Sequence, residues 1–482
     1  MPTSTAPTHA VPESGLLWPL PPVRAVEPAE VARLAGASQR ALVVLDDDPT
    51  GTQTISDLPV LTSWSADDLR WALRQNTPAF YVLTNTRSLA PESAAARNRE
   101  VVDALVAVAR AEGRPFALLS RGDSTLRGHF PLETDVLARS LVDHGCHAPD
   151  GLVLCPAYVD AGRITVDDVH WMRTADGMLP VAAGEFAKDA TFGYRSSDLR
   201  EFVEERSNGR WRADEVVSIG LTDIRVGGPG RVADLLSALD GGRPAVVNAV
   251  CDDDLRVVAL GALAAERSGK VLLYRTGPSF VRAMTGQTAR PPLTQVAVDR
   301  PGASRHGLVV IGSHVSLTTR QLDRLRSEGG IREIELDVAE LLAPERRDAH
   351  VATVAEEAVA CLDRADAVVR TSRRLVTGAD PAESLAIARH VSKALVDVVA
   401  AVAGRRTPRF VVAKGGITSS DVATDGLGMR RAWVRGTLLP GIVSLWSPVG
   451  GVATGIPYVV FAGNVGDDDS LARVVRTLRE DR

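Results

Sequence analysis

Short apolar runs recur along the chain, separated by stretches in which apolar positions return every three or four residues. The runs predict buried strands and the intervening stretches predict helix faces. In the first half the strands fall at ALVVLD (41–46), AFYVLT (79–84), FALLS (116–120), GLVLC (151–155), AVVNA (245–249) and KVLLY (270–274). Between the second and third of these, residues 91–113 place apolar side chains at 101, 102, 105, 106 and 109, one face of a helix, with Gly113 as a C-cap. Residues 285–307, rich in Pro, Gly and polar side chains, interrupt the alternation and mark a domain junction. The pattern then restarts with strands at GLVVIGS (307–313), IREIEL (331–336), DAVVRTS (366–372), RFVVAKGG (409–416) and a further one entering 459–463, and with a long helix over 381–404. Strand–helix alternation of this kind predicts an α/β protein of two domains, each a largely parallel sheet flanked by helices. The expected boundaries are a Pro-rich leader at 1–38, a first domain at 39–290 and a second at 306–482.

Composition narrows the classes. A chain of 482 residues exceeds one compact core, and 45% hydrophobic with 24% charged residues is an ordinary globular mixture. Lys plus Arg number 55 against 60 Asp plus Glu, and the arginines are dispersed without a basic stripe, which excludes a typical nucleic-acid binder. Cys146, Cys155, Cys251 and Cys361 are far apart and form no CxxC pair, so free thiols in a reducing cytoplasm are expected. No apolar run reaches membrane-spanning length. The leader lacks a basic segment followed by an apolar one and reads as partly disordered, with Leu16 to Leu20 docking on the body.

In parallel sheets ligands bind at the carboxyl ends of strands, and several of the loops there are rich in chemistry. LDDDPTGTQT (45–54) places three adjacent carboxylates where a strand ends. Like charges so close shift one another's pKa and call for a cation or a proton. Asp46, Asp48 and Thr50 match a phosphatase pattern of nucleophile, general acid and phosphate-binding hydroxyl. Asp47, Asp48, Thr50 and Gly51 equally match a kinase pattern, in which one carboxylate deprotonates the attacking hydroxyl. In SRGDSTLRG (120–128), Asp123, Ser124, Thr125 and Arg127 form a candidate small-anion site, with Arg163 after the fourth strand as a second anion contact. In the second half, Ser313, Ser316 and Thr318 open a helix, a position that suits an anion. Lys414, Gly415, Gly416, Thr418 and Ser419 follow a strand as a glycine loop fit for phosphate, and Gly463, Asn464 and Gly466 form a tight turn. Asp467 to Asp469 read as a helix N-terminal charge cluster.

Taken in order, DDPTG (47–51), DSTLRG (123–128), PAYVDAGR (156–163), GSHVSLTTRQ (312–321), KGGITSSD (414–421) and GNVG (463–466) resemble the four-carbon acid sugar kinases, which act on D-threonate, D-erythronate and 3-oxo-tetronate. The likeness runs from about residue 40 to 475. It implies an N-terminal domain that binds the sugar acid, a C-terminal domain that binds ATP, magnesium as the accompanying ion and a reaction in the cleft. On this resemblance Ser316, Gly415, Gly416, Ile417, Thr418 and Gly463 fall on nucleotide-binding positions, and Asp47, Asp48 and Arg127 on sugar-acid positions. Arg127 would clamp the acid's carboxylate while Asp47 or Asp48 deprotonates its hydroxyl. Proline after the aspartate pair, the KGGITSSD block and the length place the chain in a divergent, longer subgroup. The hydrolase reading and a non-catalytic sugar-acid sensor stand as alternatives. A homodimer is the base-rate expectation, and neither nucleic acid nor membrane is an expected partner.

Overall fold

The computed structural model describes residues 7–296, 301–373, 376 and 381–479. The chain divides into two compact units, one built from residues up to Ile55 with Trp64–Ala289, the other from Ser56–Ser63 with the segment from Arg290 onward. The sequence boundary of 39–290 did not anticipate the excursion at Ser56–Ser63. Of the predicted junction, 297–300 lie outside the described residues.

The first unit is organised by seven parallel strands in the order Ala79–Leu83, Ala41–Asp46, Phe116–Arg121, Leu272–Thr276, Gly151–Cys155, Arg243–Val247 and Val217–Ile219. Every residue of Ala41–Asp46 is buried, which explains its unbroken apolar run: a central parallel strand is covered on both faces. From this strand the chain builds the neighbour at 79–83 on one side, then crosses to 116–121 on the other. The reversal makes the carboxyl end of Ala41–Asp46 a topological switch point, where a crevice opens between diverging connections. The helix Pro91–Ala111 buries Val101, Val102, Leu105, Val106 and Ala109, the face expected. Gly113 ends it with φ +60°, and the Arg114 amide returns to the Ala109 carbonyl at 2.9 Å, a left-handed cap that suits glycine.

The second unit has eight strands in the order Ile331–Leu336, Asp366–Thr371, Leu308–Ile311, Val411–Lys414, Tyr458–Phe461, Val443–Pro448, Arg431–Leu439 and Leu58–Leu61. The first five are parallel and the last three join antiparallel. A second switch point lies at the end of Leu308–Ile311, flanked by Asp366–Thr371 and Val411–Lys414.

Two features depart from expectation. Residues 163–180, to which the sequence reading assigned no strand, form a small antiparallel sheet, Arg163–Val166, Val169–Thr174 and Gly177–Pro180. Its first turn is VDDV, with Asp167 and Asp168 at φ 50° and 64°, the left-handed geometry of a two-residue hairpin. Within the leader, helices span Glu13–Leu17 and Pro28–Ala37, and Val26 and Val31 are buried. Leu16, Leu17 and Leu20 do dock, packing with Val11 against Ile164, Trp171 and Met178. The four cysteines are free thiols, and no described helix is long and apolar enough to cross a membrane.

Candidate active site

The first switch point gathers opposite charges out of water. Asp46 is 1% and Asp47 2% exposed, whereas the Asp48 side chain keeps 21% of its surface. Arg87 binds both oxygens of Asp47, with Nε 3.2 Å from Oδ2, and its Nη1 lies 3.4 Å from Asp48 Oδ2. Arg121 Nη1 stands 3.1 Å from Asp47 Oδ1 and 3.3 Å from Asp46 Oδ1. Arg275, on the next strand, approaches Asp47 at 3.8 Å and is held by Ser120 at 2.7 Å and Glu133 at 2.6 Å. Two glycines permit this approach. A Cβ at Gly122 would stand 2.4 Å from the Arg275 Cζ, and one at Gly128 (φ +122°) 2.7 Å from its Nη2. Gly51 seals Asp46, since a Cβ there would lie 2.1 Å from Oδ2.

The three carboxyls are therefore not equivalent. Burial pushes Asp46 up to about 7, against the opposing pull of Arg121. Burial acts on Asp48 in the same sense, but Arg87, Arg121 and hydrogen bonds from Thr50 outweigh it and hold the carboxylate below its ordinary range. Those bonds come from the Thr50 amide at 2.8 Å and from its hydroxyl, both to Oδ1. Asp47 is the shared counter-ion of three guanidiniums. Asp48 alone combines ionisation with an open edge.

The DSTLRG loop follows Arg121 on the adjoining strand. Asp123 lies well below the usual carboxylate range, its burial outweighed by Arg87 and Arg127, and it accepts from Thr125 Oγ1 and from Arg127 Nε at 2.7 Å. Arg127 also sits 3.7 Å from Asp189 and 4.7 Å over the Phe186 ring, so it is paired with acids of its own chain rather than left open as an anion clamp. Ser124 is buried, and its carbonyl lies 2.8 Å from His170 Nε2; burial pushes that imidazole down to about 4, the state of a packing group. Arg163 differs from Arg127. It lies 5.8 Å over the Tyr158 ring, forms no ion pair among the described residues, and its buried Nε has no partner there. Tyr158 in turn donates to Gln53 Oε1 at 2.8 Å, tying this segment to the aspartate loop.

At the second switch point, Gly312, Ser313, Gly415, Thr418 and Gly463 converge. A Cβ at Gly312 would meet Thr418 Oγ1 at 2.3 Å, and one at Gly463 would meet Ser313 Oγ at 2.5 Å. Gly415 has φ +134°, open only to glycine without strain. Thr318 joins the loops by donating to the Gly463 carbonyl at 2.9 Å. Gly416 opens the helix Gly416–Asp421, and Ser316 opens Ser316–Glu328. Ser316, Ile417, Asn464 and Gly466 are exposed on these loops. Lys414 is fully buried instead. Its Nζ donates to the Ala462 carbonyl at 2.7 Å and lies 3.7 Å from the Phe461 ring centroid, and burial pushes its pKa down to about 7. It props the loop from beneath and offers no charge at the rim.

Arg87, Arg121, Arg275 and Glu133 were not singled out from sequence. Arg121 lay inside the quoted SRGDSTLRG, and Arg87 and Arg275 stand at the carboxyl ends of predicted strands, a positional signal that was available. Among the described residues no group of three or more His, Cys, Asp or Glu side chains could hold a metal ion.

Known proteins bear on both units. Residues 42–284 match a family model described as a sugar-binding N-terminal domain, and 308–471 one described as a nucleotide-binding C-terminal domain. A D-erythronate kinase of Heliobacterium modesticaldum is 26% identical over 407 residues, 82% of this chain and 85% of that protein. A D-threonate kinase of Salmonella typhimurium is 27% identical over 253 residues, 52% of this chain and 53% of its own length. A solved chain from Salmonella typhimurium LT2 superposes with TM-score 0.63 at 19% identity, covering 90% of this chain and 98% of its own, a likeness of fold. Two family models that together span most of the chain, and two kinases aligned with it, identify this protein as a member of the four-carbon acid sugar kinase family.

Proposed function

We propose that the protein is an ATP-dependent kinase that phosphorylates a hydroxyl of a small sugar acid, such as threonate, erythronate or a 3-oxo-tetronate. The observation that carries this reading is the division of labour among adjacent carboxylates at a switch point: Asp47 is saturated by Arg87 and Arg121, and Asp48 is ionised with an open edge. Asp48 accepts the proton of the attacking hydroxyl, and Thr50 fixes its carboxylate. Asp47 positions Arg87, Arg121 and Arg275. Arg163, whose Nε lacks a partner among the described residues, takes the acid's carboxylate, a role for which Arg127 is less free. Asp123 and Thr125 hold Arg127 and the loop.

The second unit's residues fit a nucleotide. Gly312, Gly415 and Gly463 leave bare backbone where side chains would collide with Thr418 or Ser313, so amides can face phosphate oxygens. Bound ATP supplies the phosphoryl group. Magnesium is expected to arrive with the phosphates, since it needs few protein ligands, and no residue is assigned to it.

The hydrolase alternative fares worse on one observation. Its nucleophile would be Asp46, which is 1% exposed, sealed by Gly51 and pushed up to about 7. The second acidic group it would recruit is already paired: Asp252 with Arg282, Asp253 with Arg256 and Asp254 with Arg225. Incubation with Mg-ATP and a panel of four- and five-carbon sugar acids, following ADP, tests the proposal. Acid-dependent ADP formation is expected. Binding of an acid without ADP would favour a sensor, and release of phosphate from phosphoesters without ATP a hydrolase; either overturns it.

A further inference from the structure

The sheet of the first unit opens at the end opposite the aspartates. Phe116–Arg121 and Leu272–Thr276 pair from Leu119–Tyr274 to Arg121–Thr276, and the ladder stops there. In the same register Leu118 would face Leu273 and Ala117 would face Leu272, yet neither pair forms. Each strand remains paired on its outer side, Phe116–Leu118 with Ala41–Val43 and Leu272–Leu273 with Gly151–Leu152. The inner edges border a cavity of about 580 Å³, within the range of small-molecule sites. Its walls include Val106, Leu118, Leu141 and Leu273.

Four cations line it, in two classes. Arg40 is paired with Glu266, and Lys270 lies 3.5 Å from Asp150. Arg110 and Arg114 have no carboxylate within ion-pair distance among the described residues. Arg110 donates to the His144 carbonyl, Arg114 Nη2 to Asn76 Oδ1 at 2.9 Å, and the buried Arg114 Nε has no partner there. An apolar interior, unpaired peptide edges and two guanidiniums without counter-ions are complementary to one kind of occupant.

The geometry points to a second ligand site here, for a small organic anion with an apolar body, an aromatic or branched aliphatic carboxylate. The body fills the space between the leucines, and the carboxylate takes Arg110 and Arg114 in the geometry guanidinium favours. A polyhydroxylated sugar acid suits this cavity poorly, because Val106, Leu118, Leu141 and Leu273 would strip its hydroxyls of water and only the short strand edges offer partners. The occupant is thus of a different class from the substrate.

The test uses the whole protein and two isosteric probes, 3-phenylpropionate and its uncharged amide, by calorimetry and by displacement of anilinonaphthalene sulfonate fluorescence. The carboxylate should bind one per chain and undiminished by saturating threonate and Mg-ATP. The amide should bind roughly tenfold or more weakly, the loss of a charge-assisted contact. Arg110→Glu and Arg114→Glu should each weaken the carboxylate to a similar degree while leaving acid-dependent ADP formation unchanged. Displacement of the probe by threonate, equal affinity for the amide, or wild-type affinity in both reversed variants would overturn the inference. The amide and threonate arms need no variant and do not depend on one folding.

Discussion

Asp48→Asn separates chemistry from scaffolding more cleanly than any other change at the site. The substitution is isosteric. Asn Oδ1 still accepts from the Thr50 amide now at 2.8 Å, and Arg87 keeps both of its bonds to Asp47. What is lost is one 3.4 Å ion pair at a side chain 21% exposed, about 0.2–1 kcal/mol. Melting should therefore fall by no more than about 4 °C. What is lost chemically is the proton acceptor, roughly 10²–10⁴ in turnover, or about 3–5 kcal/mol of barrier. Asp47→Asn predicts the converse balance. It strips a buried counter-ion from Arg87 and Arg121, costing about 3–5 kcal/mol of stability. The assay is a coupled ADP measurement on the best acid from the panel, with nucleotide affinity by calorimetry and melting by fluorescence. Near-normal turnover in Asp48→Asn, or a loss explained by weaker nucleotide binding or by unfolding, would refute the assignment of the base.

Arg163→Met should raise KM for the acid roughly 10- to 100-fold with little change in KM for ATP, whereas loss of ATP affinity would exclude its proposed role. Gly51→Ala should destabilise by about 1–3 kcal/mol, read as a lower melting temperature, because the added methyl overlaps the Asp46 carboxyl. Folded Asp46 keeps its proton to about pH 7 while the unfolded chain releases it near pH 4, so wild-type stability falls as pH rises through that window. Asp46→Asn removes this term, and its stability relative to wild type should grow from pH 4 to pH 8 by at most about 4 kcal/mol in denaturant titrations. Lys414 has the opposite linkage. Its folded pKa of about 7 lies below the unfolded value, so wild type gains stability from pH 7 to 10, and the advantage of Lys414→Met should be greatest at pH 6 and shrink toward pH 10.

The central strands were legible because burial on both faces leaves an unbroken apolar signature, as in Ala41–Asp46 and Leu308–Ile311. The strand Leu58–Leu61 was not: four residues with Pro59 give no periodicity. The hairpins of 163–180 are too short for a period of two to emerge, although VDDV carried the turn signal. The acidic half of the site was legible because its three aspartates close a buried apolar strand, whereas Asp252 to Asp254 and Asp467 to Asp469 stand at helix starts. Its basic half was not, because Arg87, Arg121 and Arg275 reach Asp47 from 40, 74 and over 200 residues away, and arginine is common throughout the chain. Arg127 and Arg163 could be named but not ranked, since only the fold reveals which guanidinium already has an acid beside it.

The excursion at Ser56–Ser63 has a practical corollary for dissecting the protein. Leu58–Leu61 completes the second unit by pairing with Arg431–Val434, although it is encoded within the first. A fragment begun near residue 290 would expose the backbone edge of Arg431–Leu439, a template for aggregation. The two halves are therefore not interchangeable cassettes. Expression of the nucleotide half alone calls for a grafted copy of residues 56–63, and exchange between relatives has to carry that short segment along with its distant partner.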